Sequence, residues 1–130
     1  MTLFVAVDPG TTNGYASYDS ETGEFVSKEY SATVLYHKLN LLAWAELLPH
    51  VIIEKYTITA RTAKLSQQTE ALKVIGAVEY ICMTGNANLY ISATGRKKFG
   101  SNAKLKALGW FKGGEGHADD AARHLLAFLS

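Results

Sequence analysis

Cysteine occurs once, as Cys82, and proline only twice in 130 residues. A lone thiol cannot close an internal disulfide, so the fold must rest on its core, and this cysteine usage fits a reducing, cytoplasmic setting. Long apolar runs are also missing: no stretch approaches the roughly 20 residues that a membrane-crossing helix needs. The first apolar run, residues 3–7, has no basic leader and is broken by Asp8, so it reads as a buried strand and not as a signal peptide. Neither an internal repeat nor a low-complexity linker interrupts the chain. With 48% hydrophobic and 19% charged residues the composition is that of a globular domain. One compact domain spanning residues 1–130 is expected, because two would each be too short to bury an ordinary core.

Net charge is nearly absent as well, at +1, but that value averages three unlike segments. Residues 1–54 carry a balance of −5, residues 55–112 a balance of +8, and the remainder −2. A basic middle between acidic ends suggests a polyanion-binding face beside a carboxylate cluster, although solvated helix faces give a similar asymmetry.

Hydrophobic periodicity orders the elements. A continuous apolar run ends at Asp8-Pro9-Gly10, where Pro and Gly enforce a turn. Residues 14–18 and 24–30 are short, β-prone and separated by a turn-rich stretch, which predicts a meander of three strands. Leu35, Leu39, Leu42, Ala43 and Leu47 recur at helical spacing between Ala32 and Leu48, with Pro49 as the stop. Val51-Ile52-Ile53 is apolar on both faces, as a buried parallel strand is, and ends at Glu54. A second helix is predicted from about Ala63 to Met83, with Leu65, Leu72, Ile75, Val78 and Cys82 on one face. Then come a fifth strand at residues 89–92, a short helix from Ser101 to about Trp110, and a last helix from about His117 to Leu129. The order describes an α/β fold, a mixed five-stranded sheet flanked by helices.

Two apolar strands thus terminate in acids, Asp8 and Glu54. In open α/β sheets ligands bind outside the carboxyl ends of strands, so parallel neighbours would bring both carboxylates to one edge, where they repel unless a cation lies between them. The competing reading is that each is an ordinary strand-end acid facing water. The last helix adds His117, Asp120 and His124 at i, i+3 and i+7 on one face, with Asp119 turned about 100° away. Compensation of the helix dipole accounts for the acids and leaves His117 unexplained.

These residues carry a resemblance. Asp8-Pro9-Gly10-Thr11-Thr12-Asn13-Gly14-Tyr15-Ala16, then Glu54 after an apolar strand, then His117-Ala118-Asp119-Asp120-Ala121, resembles the RuvC Holliday-junction resolvases of the RNase H-like superfamily, in a compact bacteriophage-type form. The segment from Lys64-Leu65-Ser66-Gln67-Gln68 to Gly76-Ala77 is similar to that family's second helix, and Ile91-Ser92-Ala93 with its basic continuation to the segment before its last helices. The likeness implies an RNase H-like fold and a crossover junction endodeoxyribonuclease that leaves 5′-phosphate and 3′-hydroxyl nicks through two-metal-ion hydrolysis. It assigns Asp8, Glu54 and Asp120 as metal-binding carboxylates and His117 as the fourth member, which either ligates an ion or orients the water. Two Mg²⁺ per site are implied, with Mn²⁺ able to substitute. Asp119 is left as a supporting or surface group, and His124 as a packed or surface histidine.

For DNA, the resemblance points to Arg61, Lys64, Arg96, Lys97, Lys98, Lys104 and Lys106. Lys104, together with Lys97 or Lys98, corresponds to family lysines that approach the scissile phosphate. Tyr56 matches an aromatic near the junction crossover, and Phe99 is similarly placed. The implied partners are branched DNA and a second copy of the chain, with the 67–83 helix contributing to the interface, and neither membrane nor nucleotide cofactor is expected. The implied setting is the cytoplasm of a bacterial or phage-infected cell.

Asp8-Pro9-Gly10-Thr11-Thr12 also resembles the phosphate loop of actin-like sugar kinases, but those need a second nucleotide-binding half for which 130 residues leave no room. Two further functions compete with junction resolution: a nuclease that cuts flaps or forks, and a non-catalytic junction-binding module.

Overall fold

The structure, a computed structural model, describes residues 2–54, 66–92, 99–113 and 116–130. Five strands and four helices follow in the order β1 (Leu3–Asp8), β2 (Asn13–Asp19), β3 (Phe25–Tyr30), α1 (Ala32–Trp44), β4 (His50–Glu54), α2 (Ser66–Thr84), β5 (Asn88–Ser92), α3 (Asn102–Leu108) and α4 (His117–Leu129). They form one mixed sheet in the order β3-β2-β1-β4-β5. The meander β1-β2-β3 is antiparallel, whereas β1, β4 and β5 run parallel, with Val7 beside Ile53 and Glu54 beside Ser92.

Strand alternation divides the inward side chains between two layers. Val5, Val7, Val51 and Ile53 point to the face covered by Leu35 and Leu39 of α1 and by Val74, Val78 and Ile81 of α2. Ala6, Ala16 and Ile52 point to the other face, against Leu105 of α3 and Ala121, Ala122 and Leu125 of α4. The side chain at the end of each parallel strand inherits this alternation. Asp8, Glu54 and Ser92 therefore emerge on the α4 face, two residues beyond Ala6, Ile52 and Tyr90, which pack there.

Three helix expectations need correction. The first helix stops at Trp44, before Pro49 can act, because Glu46 takes a left-handed conformation (φ 58°) and the Leu47 amide closes on the Leu42 carbonyl at 2.7 Å. That turn leaves Leu47 exposed and buries Leu48 instead. On α2, Val78 and Cys82 are buried and Ile75 packs against the core as expected, whereas Leu72 faces outward and Ala71, Val74 and Ile81 complete the inward stripe. The expected start of this helix and Leu65 lie outside the described residues. Capping chemistry sets α3: the Ser101 hydroxyl accepts from the Lys104 amide, and Gly109, at φ 76°, closes the last turn at Leu108, short of the expected Trp110.

Candidate active site

Asp8 and Glu54 end adjacent parallel strands on one face of the sheet, and α4 crosses above them. The crossing depends on the absence of a side chain at Gly14, the β2 register partner of Asp8. A Cβ there would overlap the carbonyl oxygen of His117. The first turn of α4 is fixed from β3, where Glu29 Oε1 accepts from the His117 amide at 3.0 Å. That carboxylate lies against Gly116, whose φ of 115° favours glycine. The loop after Asp8 is tied down by Asn13, whose Oδ1 accepts from the Gly10 amide at 2.9 Å while its Nδ2 donates to the Tyr30 carbonyl at 3.2 Å.

From this start α4 lays its polar residues over successive strands. A span of seven residues advances about 10 Å, close to the width of two strand spacings, so an oblique helix carries one end over β1 and the other over β4 and β5. His117 Nδ1 stands 2.9 Å from Asp8 Oδ2. His124 Nε2 stands 3.4 Å from Glu54 Oε2, and its Nδ1 lies 3.2 Å from the Ser92 hydroxyl. Between them Asp120 accepts from Arg123 at 2.6 Å, and Arg123 also donates to Asn102 Oδ1 at the start of α3. Gly100 makes room for this link, since a Cβ there would come within 2.7 Å of Arg123 Cα.

Asp8 is buried and its carboxyl is pushed up to about 6. Desolvation contributes most, a hydrogen bond shared with Glu54 raises it further, the bond to His117 opposes the rise, and the charges of Glu54 and Asp120 complete it. Three carboxyls and an imidazole crowded at a strand edge are hard oxygen and borderline nitrogen donors, a set suited to Mg²⁺ or Mn²⁺. A divalent cation beside Asp8 would offset both the desolvation and the neighbouring negative charge that hold its proton. Among the described residues no three such donors yet close round a single point, and Asp120 is engaged by Arg123. Arg123 takes one oxygen of Asp120, Oδ1, and leaves Oδ2 as the donor it can offer an ion.

Asp8, Glu54, His117 and Asp120 are thus brought to one edge. Asp119 is not at the surface; it is buried and accepts from the Lys112 amide at 2.8 Å, while the Lys112 ammonium donates to the Ser27 carbonyl. Its work is to tie the chain before α4 to the sheet. His124, expected to be merely packed or superficial, is packed and also touches Glu54. Lys104 is exposed and its ammonium sits 3.6 Å from the centroid of Phe99, while that of Lys106 sits 4.7 Å from Phe111. Neither is seen against an acid of the site, but the helix that carries them is joined to Asp120 through Asn102 and Arg123. Tyr56, Arg61, Lys64, Arg96, Lys97 and Lys98 lie outside the described residues. Sequence reasoning missed Glu29, Gly14 and Arg123; only Arg123, three residues after Asp120, carried a local signal.

No protein-family model matches the chain, and no curated protein sequence matches it. Solved structures do. Thermus thermophilus RuvC in complex with a Holliday junction substrate superimposes with a TM-score of 0.75, covering 99% of this chain and 93% of the other at 11% identity. A second Thermus thermophilus RuvC structure gives a TM-score of 0.63 over 98% and 93% of the two chains at 14% identity. At this identity the likeness is one of fold: the chain has the RuvC form of the RNase H-like architecture. Among the described residues no helix is long and apolar enough to cross a membrane.

Proposed function

We propose that this protein is a divalent-metal-dependent endodeoxyribonuclease that resolves four-way DNA junctions. The observation that carries the reading is the meeting of Asp8 and Glu54, from neighbouring parallel strand ends, with His117 and Asp120 of α4 on one edge of a sheet folded like RuvC. Asp8, which lies beside both Glu54 and His117, would hold a divalent cation together with Glu54 and Asp120, with His117 as the fourth donor. Bound divalent ions would supply an activated water and neutralise charge on the leaving oxygen.

The chain's own groups prepare that chemistry. A bound cation would favour the ionised form of Asp8, and burial beneath α4 limits competing water around its carboxylate. His117 uses Nδ1 on Asp8, so Nε2 is its atom available to the solvent side, where the side chain is 44% exposed. Arg123, held between Asp120 and Asn102, adds a cation at the same edge for DNA phosphate. Lys97, Lys98, Lys104 and Lys106, with Arg61, Lys64 and Arg96, supply positive charge for the flanking phosphates, and Tyr56 and Phe99 supply stacking surface. A four-way junction has two-fold symmetry, so paired nicks need two sites related by that symmetry, and a homodimer is proposed.

Cleavage of synthetic four-way junctions, forks, flaps and linear duplexes, each with Mg²⁺ and with Mn²⁺, tests the proposal. Paired symmetric nicks in the junction, far above those in linear duplex, are expected. Equal cutting of flaps and forks would replace junction resolution with a broader branched-DNA nuclease, and binding without cutting under either metal would leave a junction-binding module.

A further inference from the structure

His124 has a polar environment that neither the core nor the proposed catalysis explains. The residue is 1% exposed, on a helix face otherwise filled by Ala121, Ala122 and Leu125. An apolar side chain there would avoid the cost of burying two ring nitrogens. Its surroundings define a direction. Nδ1 lies 3.2 Å from the Ser92 hydroxyl, and Nε2, which has no hydrogen bond of normal geometry, is aimed at Glu54 Oε2 at 3.4 Å. Ser92 and Glu54 are register partners on β5 and β4, so the imidazole bridges the ends of two adjacent strands.

The chemistry of the three groups fixes the tautomer. A carboxylate only accepts, whereas a hydroxyl can donate. Nε2 therefore carries the proton that faces Glu54, and in the neutral ring the Ser92 hydroxyl donates to Nδ1. At 3.4 Å this contact is longer than a formed hydrogen bond, and a small movement of the carboxylate closes it. The structure thus assigns His124, oriented by Ser92, as the positioning residue for Glu54: the imidazole takes Oε2 and leaves the other oxygen turned toward Asp8. Without that donor, Glu54 can pair either oxygen with the Asp8 carboxyl, with which it already shares a hydrogen bond. The inference rests on the reading of Glu54 as a metal ligand, and groups that hold a ligating carboxylate commonly matter for affinity by about 10–100-fold.

Mn²⁺ binding to the full chain without DNA, followed by the electron paramagnetic resonance signal of the free ion, separates positioning from packing. His124→Leu keeps the bulk and should weaken Mn²⁺ binding by about 10–100-fold while the melting temperature of the metal-free protein holds or rises. His124→Gln, which retains an N–H donor toward Glu54, should recover most of the affinity. Ser92→Ala, a smaller change, should weaken binding in the same direction. Nicking by His124→Leu should approach the wild-type rate at saturating Mn²⁺. Wild-type affinity in both His124→Leu and Ser92→Ala would overturn the positioning role and leave the nuclease reading intact. Absence of Mn²⁺ binding by the wild type would overturn the metal site and this role together. Should His124→Leu not fold, Ser92→Ala decides alone.

Discussion

The two faces of the sheet are made by the same strands and do different work. Toward α1 and α2, the alternate positions are Val5, Val7, Val51 and Ile53, large side chains that meet Leu35, Leu39, Val74 and Val78 in a continuous apolar layer. Toward α4, the intervening positions are Ala6, Ala16 and Ile52, meeting Ala121 and Ala122. Small residues on both sides let α4 lie close, and Gly14 removes the last obstacle at its first turn. Closeness then makes the polar edge possible, because His117 and His124 reach the strand-end acids Asp8 and Glu54, with Asp120 between them. Both faces carry a core, since Trp110, Phe25, Tyr90 and Phe128 pack around α4, but where α4 crosses β1 and β2 small residues bring titratable groups together.

Substitutions that respect this division should separate stability from chemistry. The largest effect on activity short of removing an acid is expected from Gly14→Ala, which forces the His117 backbone outward. A displacement of about 1 Å at a reacting centre costs on the order of 100-fold, so nicking should fall by at least that much in single-turnover assays. Leu39→Ala, on the opposite face, should cost about 2–5 kcal/mol by denaturant unfolding while leaving the nicking rate per folded molecule unchanged. Equal losses of activity in both variants would erase the distinction.

A subtler contrast lies in pH dependence. The Asp8 carboxyl is raised from 3.8 to about 6, so the folded metal-free protein holds this proton more tightly than the unfolded chain does. The stabilisation from that proton is fully present below pH 3.8 and is lost as pH rises through about 6. Melting temperatures should therefore decline across this window in metal-free wild type and in Leu39→Ala, and the decline should shrink in Asp8→Asn. Added Mg²⁺ should reverse the loss at the upper end, where the proton no longer competes. The smallest effect belongs to the basic surface: Lys104→Ala, or Lys97→Ala with Lys98→Ala, should lower the salt slope of junction binding by about 1 per lysine.

Much of this division is legible from alternation and spacing. The apolar run that stops at Asp8 and the one that stops at Glu54 mark two strands, and the i, i+3, i+7 pattern marks the residues of α4 that meet the strand ends, although Asp119, set away from them, is the more deeply buried acid. The sheet and its flanking helices appear as that pattern implies. What escapes a sequence reading depends on contacts distant in the chain. Glu29 lies 88 residues from the amide it caps, and nothing local marks it. Gly14 reads as an ordinary first residue of the second strand until the carbonyl of His117 is set against it. Asp119 resembles a solvated first-turn acid because its partner, the Lys112 amide, is presented by a loop. The end of α1 falls short of its expected position because Pro49 is a strong sequence signal, whereas the left-handed turn at Glu46, which ends the helix sooner, is not.

The most direct test of the polar edge compares wild type with Asp8→Asn and Glu54→Gln in Mg²⁺-dependent nicking of a synthetic four-way junction, with junction binding measured in parallel. Nicking should fall to background in both variants while binding persists. Undiminished nicking by either one would contradict the assignment of these strand-end carboxylates as the centre of the chemistry.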